Sequence, residues 1–116
     1  MTAVLLSLLS SCGSGRFESV TVDEFGKIIS DSTVQLVDVR TAEEFAAGNI
    51  AGSVNIDVNG DDFAGEALKR LDRKRTVAVY CRSGRRSKKA AEILSDKGFK
   101  VVELDDGYSG WVESGR

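Results

Sequence analysis

From about Glu18 onward, short β-branched or apolar runs alternate with segments that open on helix-start signals, and this alternation limits the fold more than any other feature. Ser19 to Val22 is a short β-branched run. Thr21-Val22-Asp23-Glu24 fits a capping box, with Thr21 as N-cap, and Phe25, Ile28 and Ile29 supply an apolar face. Val34-Gln35-Leu36-Val37-Asp38-Val39 is nearly continuous in apolar residues, the pattern of a strand covered on both faces. Thr41-Ala42-Glu43-Glu44 is a second capping box and opens a short helix that should stop at Gly48. Ser53 to Ile56 reads as strand, Phe63 to Leu71 as helix and Thr76 to Tyr80 as strand. Ser87 to Lys97 is amphipathic, with Ala90, Ala91 and Leu94 inward and Gly98 at C′. Val101 to Leu104 forms the last strand and Gly107 to Val112 a closing helical turn. Successive βα steps imply an α/β three-layer sandwich, a mainly parallel central sheet with helices on both faces. Such sheets place ligands at the carboxyl ends of their strands.

Composition narrows the chemistry. With 116 residues the chain suits one domain, and 41% hydrophobic residues are enough for a core without disulfide staples. Sixteen Lys and Arg against eighteen Asp and Glu leave a net charge of -2, which argues against nucleic acid as a partner. Histidine is missing, so a Ser-His-Asp triad, a Cys-His dyad and a histidine-ligated metal are excluded. Cys12 and Cys81 are the only cysteines, too few for an all-cysteine zinc site or a disulfide framework. Covalent chemistry therefore falls to a cysteine activated by something other than histidine.

Residues Met1 to Cys12 are uncharged and mostly small or apolar, and Ala3 to Leu9 resembles the h-region of a signal peptide. Leu9-Ser10-Ser11-Cys12 resembles a bacterial lipobox, in which the cysteine is lipidated and becomes the mature N-terminus. Gly13-Ser14-Gly15 follows as a flexible tether. No Lys or Arg precedes the apolar run and the leader is short, as if truncated. The expectation is a leader and tether over residues 1–17 and a folded domain over 18–116, held at a bacterial envelope membrane through Cys12, periplasmic in location. A frayed terminus or a short buried strand with an incidental cysteine is the alternative, and the domain is then cytoplasmic.

After the Thr76–Tyr80 strand the chain runs Cys81-Arg82-Ser83-Gly84-Arg85-Arg86-Ser87 and enters a helix. Unpaired N–H groups and the positive end of the helix dipole favour an anion there, and a thiolate is one. Cysteine pKa values in such positions fall from about 8.5 into the range of roughly 3.5 to 7.5. Arg82, Arg85, Arg86, Lys88 and Lys89 crowd one segment of an otherwise acidic chain, so the loop can both activate Cys81 and attract an anionic substrate. The bland alternative is a small buried hydrophobe beside a solvated basic helix face. Gly84 and the arginines at both ends of the turn favour the functional reading.

This loop resembles a form common among single-domain members of the rhodanese-like sulfurtransferase family. Asp38-Val39-Arg40, Glu44-Phe45 and Gly48-Asn49-Ile50-Ala51-Gly52-Ser53-Val54-Asn55-Ile56 look like the family's first signature segment. Lys97-Gly98-Phe99, followed by Val101, Leu104, Gly107 and Trp111, looks like its closing segment, and the resemblance spans about residues 18–114. Asn49 stands where the family usually has histidine, and Asp106 where it usually has glycine, in a loop expected beside the pocket.

The resemblance implies a double-displacement transfer of sulfane sulfur from thiosulfate or a similar anionic donor, with Cys81 as nucleophile and persulfide carrier. The acceptor is cyanide in assays or a thiol, including a protein thiol. Backbone N–H groups of Arg82, Ser83, Gly84, Arg85, Arg86 and Ser87 are expected to face the persulfide, and Arg82, Arg85 or Arg86 to orient the donor. No cofactor or metal is implied, and the domain is expected to act as a monomer. Asp38 and Arg40 read as scaffold, with Arg40 pairing Glu43 or Glu44, while Phe99 and Trp111 read as core. The pairs Asp61-Asp62 and Asp105-Asp106 read as solvated loop carboxylates. Three other functions compete: a non-catalytic binding module, a partner-dependent persulfide carrier, and a cysteine-dependent phosphatase. Phosphatases related to this fold resemble Cys-x5-Arg, one residue longer than the Cys-x4-Arg spacing from Cys81 to Arg86.

Overall fold

Among the described residues, the β-branched runs and the capping boxes resolve into five strands and five helices. The computed structural model describes residues 17–116; the expected leader, Cys12 and the glycine-serine tether lie outside the described residues. In chain order the elements are β1 (Phe17–Val20), α1 (Val22–Ile29), β2 (Gln35–Asp38), α2 (Ala42–Ala47), β3 (Val54–Asn55), α3 (Phe63–Arg70), β4 (Val77–Tyr80), α4 (Arg85–Asp96), β5 (Val101–Leu104) and α5 (Gly107–Glu113). All strands are parallel, in the order β1-β5-β4-β2-β3. β4 lies at the centre and is buried at every residue, so its carboxyl end opens into the middle of the sheet's upper edge.

Alternate residues of β4 serve opposite faces. Val77, Val79 and Cys81 join Phe63 and Ala67 of α3 and Ala90, Ala91 and Leu94 of α4 in one core. Ala78 and Tyr80 join Phe25 of α1 in the other, with Tyr108 and Trp111 of α5 packed against it. Phe25 meets the rings of Tyr80 and Trp111 edge-on, at centroid distances of 6.4 and 6.2 Å. Truncating a fully buried phenylalanine such as this costs about 3–5 kcal/mol. Phe99 is buried in the first core, so both aromatic residues read as packing do pack.

Local signals fix most boundaries. Thr21 and Thr41 each accept the N–H three residues on, and Glu24 and Glu44 reach back to the cap N–H, completing both capping boxes. Thr21 is thus lost to the first strand, which ends at Val20 rather than at the expected Val22. Asp62, read as solvated, caps α3 by accepting the Gly65 N–H at 3.1 Å. The α4 helix begins at Arg85, two residues before the expected Ser87, because Gly84 takes the cap position at φ +100°. That shift brings Arg85, Arg86 and Ser87 into the first turn, where the helix faces the end of β4.

Candidate active site

Cys81 follows β4 directly and is 1% exposed. Its sulfur accepts the Gly84 N–H at 3.1 Å and lies 3.5 Å from the Ser87 hydroxyl. Burial pushes the thiol pKa up, but the Ser87 hydroxyl and the N–H groups of Ser87, Gly84 and Ser83 together hold it below the usual value. The turn is what makes this convergence of N–H groups available. A side chain at Gly84 would meet the Asp105 carbonyl oxygen at 2.2 Å and would be strained at that φ, so only glycine fits.

α5 fastens the loop from its other side. The Tyr108 N–H donates to the Cys81 carbonyl at 2.8 Å, and the Ser109 N–H to the Arg82 carbonyl at 3.0 Å. Gly107, at φ +67°, sits so close that a Cβ would fall 2.3 Å from the Arg82 carbonyl oxygen. Asp106 occupies the N-cap position of α5 and does not line the cavity beside Arg82. Asn49 donates to the Phe45 carbonyl at 2.9 Å, a role in the turn after α2.

The three arginines of the loop have different fates. Arg86 is held fork-to-fork by Glu44, at 2.8 and 3.0 Å. Its hydrogen bonds with Glu44 raise the Arg86 pKa, and in return Arg86 pulls the Glu44 carboxyl down to about 2. Arg82 and Arg85 are exposed, and neither guanidinium pairs with a carboxylate among the described residues. Arg82 borders a cavity of about 210 Å³ formed with Arg40, Glu44, Ala47, Gly48, Tyr108 and Ser109. A larger recess of about 490 Å³ lies between α1 and α5, away from Cys81.

Arg40 departs from expectation. It pairs with neither Glu43 nor Glu44. Instead it binds Asp38 through Nε and Nη2, down to 2.6 Å, and donates to the Gly48 carbonyl at 2.7 Å. Its guanidinium lies over the Tyr108 ring, 4.5 Å from the centroid. Asp38 is two residues back, at the end of β2, and Glu44 is already committed to Arg86. The scaffold role read for this pair stands, with a different partner.

Glu103 gave no functional signal in the sequence. It sits in β5, 0% exposed, and accepts hydroxyl protons from Ser87 at 2.6 Å and Ser19 at 2.5 Å. Lys88 lies 3.2 Å from the same carboxylate. A usable sign existed: a strand covered on both faces leaves its glutamate no route to water, so the carboxylate needs partners inside the protein.

A buried cysteine at the end of a central parallel strand, its sulfur facing the N–H groups of a glycine turn and a helix start, defines an α/β domain built around a thiol of lowered pKa. The comparisons make the class definite: residues 21–114 match the rhodanese-like domain, and the chain belongs to that family. It is 34% identical over 99 residues to the thiosulfate sulfurtransferase GlpE of Shewanella oneidensis, covering 84% of this chain and 95% of that protein. It is 38% identical over 85 residues to the putative sulfurtransferase YtwF of Bacillus subtilis, covering 73% of this chain and 80% of that one. Among solved structures, the rhodanese-related protein of Thermoplasma volcanium superposes with a TM-score of 0.74 at 32% identity, covering 85% of this chain and 94% of that one.

Proposed function

We propose that this domain transfers sulfane sulfur from thiosulfate, or a donor of the same charge and shape, through a persulfide on Cys81. The observation that carries this reading is the Cys81 sulfur itself, buried yet met by the Gly84 N–H at 3.1 Å and held below its usual pKa. Such a group is poised to be an anion, and the N–H donors that stabilise a thiolate also suit a persulfide. The thiolate's electron pair forms a bond to the outer sulfur of thiosulfate, the bond from that sulfur to the sulfonate breaks, and sulfite leaves with the pair. Cyanide or a thiolate then attacks the outer sulfur of the persulfide and returns Cys81 as thiolate. Arg82 and Arg85, exposed and without a carboxylate partner among the described residues, orient the dianionic donor, while Arg86, committed to Glu44, steadies the loop.

Intact mass after incubation with thiosulfate tests the reading. The wild-type domain is expected to gain one sulfur, about 32 Da, with release of sulfite, and to lose it on adding cyanide, whereas Cys81→Ser gains nothing. Folded, reduced protein that takes up no sulfur would overturn the proposal and leave a binding module in its place. The leader reading is part of the same proposal: a lipid on Cys12 tethers the domain to a bacterial envelope membrane. Fatty-acid incorporation abolished by Cys12→Ala supports that anchor, and an unmodified Cys12 in the cell overturns it.

A further inference from the structure

Counting protons around Ser87 leads beyond the nucleophile. An ionised carboxylate can only accept, so the 2.6 Å contact between Ser87 Oγ and Glu103 Oε2 uses the single hydroxyl proton of Ser87. The same oxygen lies 3.5 Å from Cys81 Sγ, and with its proton committed it faces the sulfur with a lone pair. That arrangement suits the thiol, whose S–H donates to Ser87. It does not suit a thiolate or a persulfide, which need the Ser87 proton turned toward them. Cys81, Ser87 and Glu103 are 1%, 0% and 0% exposed, so the three groups depend chiefly on one another and on their protein neighbours for hydrogen bonds.

We propose that Glu103 is a positioning residue that governs the ionisation of Cys81 by competing with its sulfur for the one proton of Ser87. When Cys81 ionises, the Ser87 hydroxyl turns from Glu103 to the sulfur, and the carboxylate keeps the Ser19 hydroxyl and Lys88 as partners. No covalent bond changes beyond loss of the thiol proton to solvent base. The surrounding elements set how evenly the two anions compete. From α4, Lys88 shares Glu103 with Asp105, and Arg86, paired to Glu44 of α2, lends its charge to Cys81. Asp57 acts on Arg86 from further off, and β1 presents the hydroxyl of Ser19. The net effect is a thiol less acidic than an uncontested Ser87 hydroxyl would make it, and a serine that reports the charge state of both neighbours.

The inference rests on Cys81 being the reactive group, and it is tested on the thiol itself, whatever the sulfur donor proves to be. The rate of alkylation by iodoacetamide as a function of pH reads the thiolate fraction directly. Glu103→Gln keeps the shape and frees the Ser87 proton, so the apparent pKa of Cys81 is expected to fall by about one unit, a tenfold faster alkylation below both values. Ser87→Ala is expected to raise it, and in that background Glu103→Gln should move it little. An unchanged or raised pKa in folded Glu103→Gln would overturn the proposal. So would the same downward shift in both backgrounds, which would mean the carboxylate acts by its field and not through Ser87. If Glu103→Gln does not fold, Lys88→Met on the half-exposed outer side serves instead. It leaves Glu103 the stronger rival and should raise the Cys81 pKa, more with Ser87 present than with alanine there; an equal rise in both overturns the idea. Failure of thiosulfate to load sulfur leaves all these readings intact, so the two proposals fall separately.

Discussion

β2 and β4 lie side by side with Asp38 opposite Tyr80, and each strand ends on a buried polar group. At the end of β2, the Asp38 carboxylate is met by a guanidinium, Arg40, itself capped by the Gly48 carbonyl and the Tyr108 ring. At the end of β4, the Cys81 sulfur is met by backbone N–H groups and a serine. The first anion has a full opposing charge at 2.6 Å and nothing left to offer a ligand. The second group is met at contact distance by dipoles, with Arg86 acting on it from further off, while the nearby cations Arg82 and Arg85 are exposed and unpaired among the described residues. A charge answered by a charge is scaffold; a charge answered by dipoles keeps its nucleophilicity and leaves cations free for a substrate.

The comparison can be broken most severely from the scaffold side. Asp38→Ala strands Arg40 in a site where it is 4% exposed, and removing one partner of such a pair costs about 3–5 kcal/mol. Urea denaturation should show that loss, while the protein that stays folded keeps sulfur uptake close to wild type. A collapse of activity with stability intact would instead move the Asp38–Arg40 corner into the chemistry. On the reactive side, Arg82→Ala should raise the KM for thiosulfate about tenfold, roughly 1.4 kcal/mol, with kcat changed much less. An unaltered KM would pass the donor-orienting role to Arg85.

The smallest effect concerns the pair that joins the two regions. Glu44→Gln removes the partly exposed bridge to Arg86 and should cost about 1 kcal/mol or less. The pH dependence has a definite sign. Arg86 pulls the Glu44 carboxyl from 4.5 down to about 2, against the opposing effect of burial. The stabilisation is therefore fully present above pH 4.5 and disappears as the pH falls toward 2. Urea midpoints of wild type and Glu44→Gln should differ at pH 7 and converge near pH 2. A gap that persists there would mean that shape rather than charge holds the contact.

Much of this fold is local chemistry and so can be read along the chain. Thr21 with Glu24, Thr41 with Glu44, and Gly98 at φ +94° after α4 each act within four residues of themselves. The Cys81–Ser87 loop was legible for the same reason, since strand, glycine turn and helix start are contiguous. What escaped the sequence was pairing over distance. Glu44 looked like a partner for Arg40, its near neighbour, yet 42 residues on it meets Arg86. Glu103 is one polar residue in an apolar strand, and its tie to Ser87 exists only because β5 lies beside β4. α4 starts two residues before the expected Ser87 because Gly84 caps with its backbone conformation and not with a side chain.

Gly107 has a consequence in the order of synthesis. Cys81 and its loop are synthesised well before the residues that fasten them, for Gly107, Tyr108 and Ser109 come 26 to 28 residues after Cys81 in the chain. Until that segment docks, the Cys81 and Arg82 carbonyls lack the amides that hold them, at 2.8 and 3.0 Å in the finished fold. A nascent chain halted before Gly107 would carry the Cys81 loop without the amides that fasten it, so the seat of this cysteine is completed by a segment made after it.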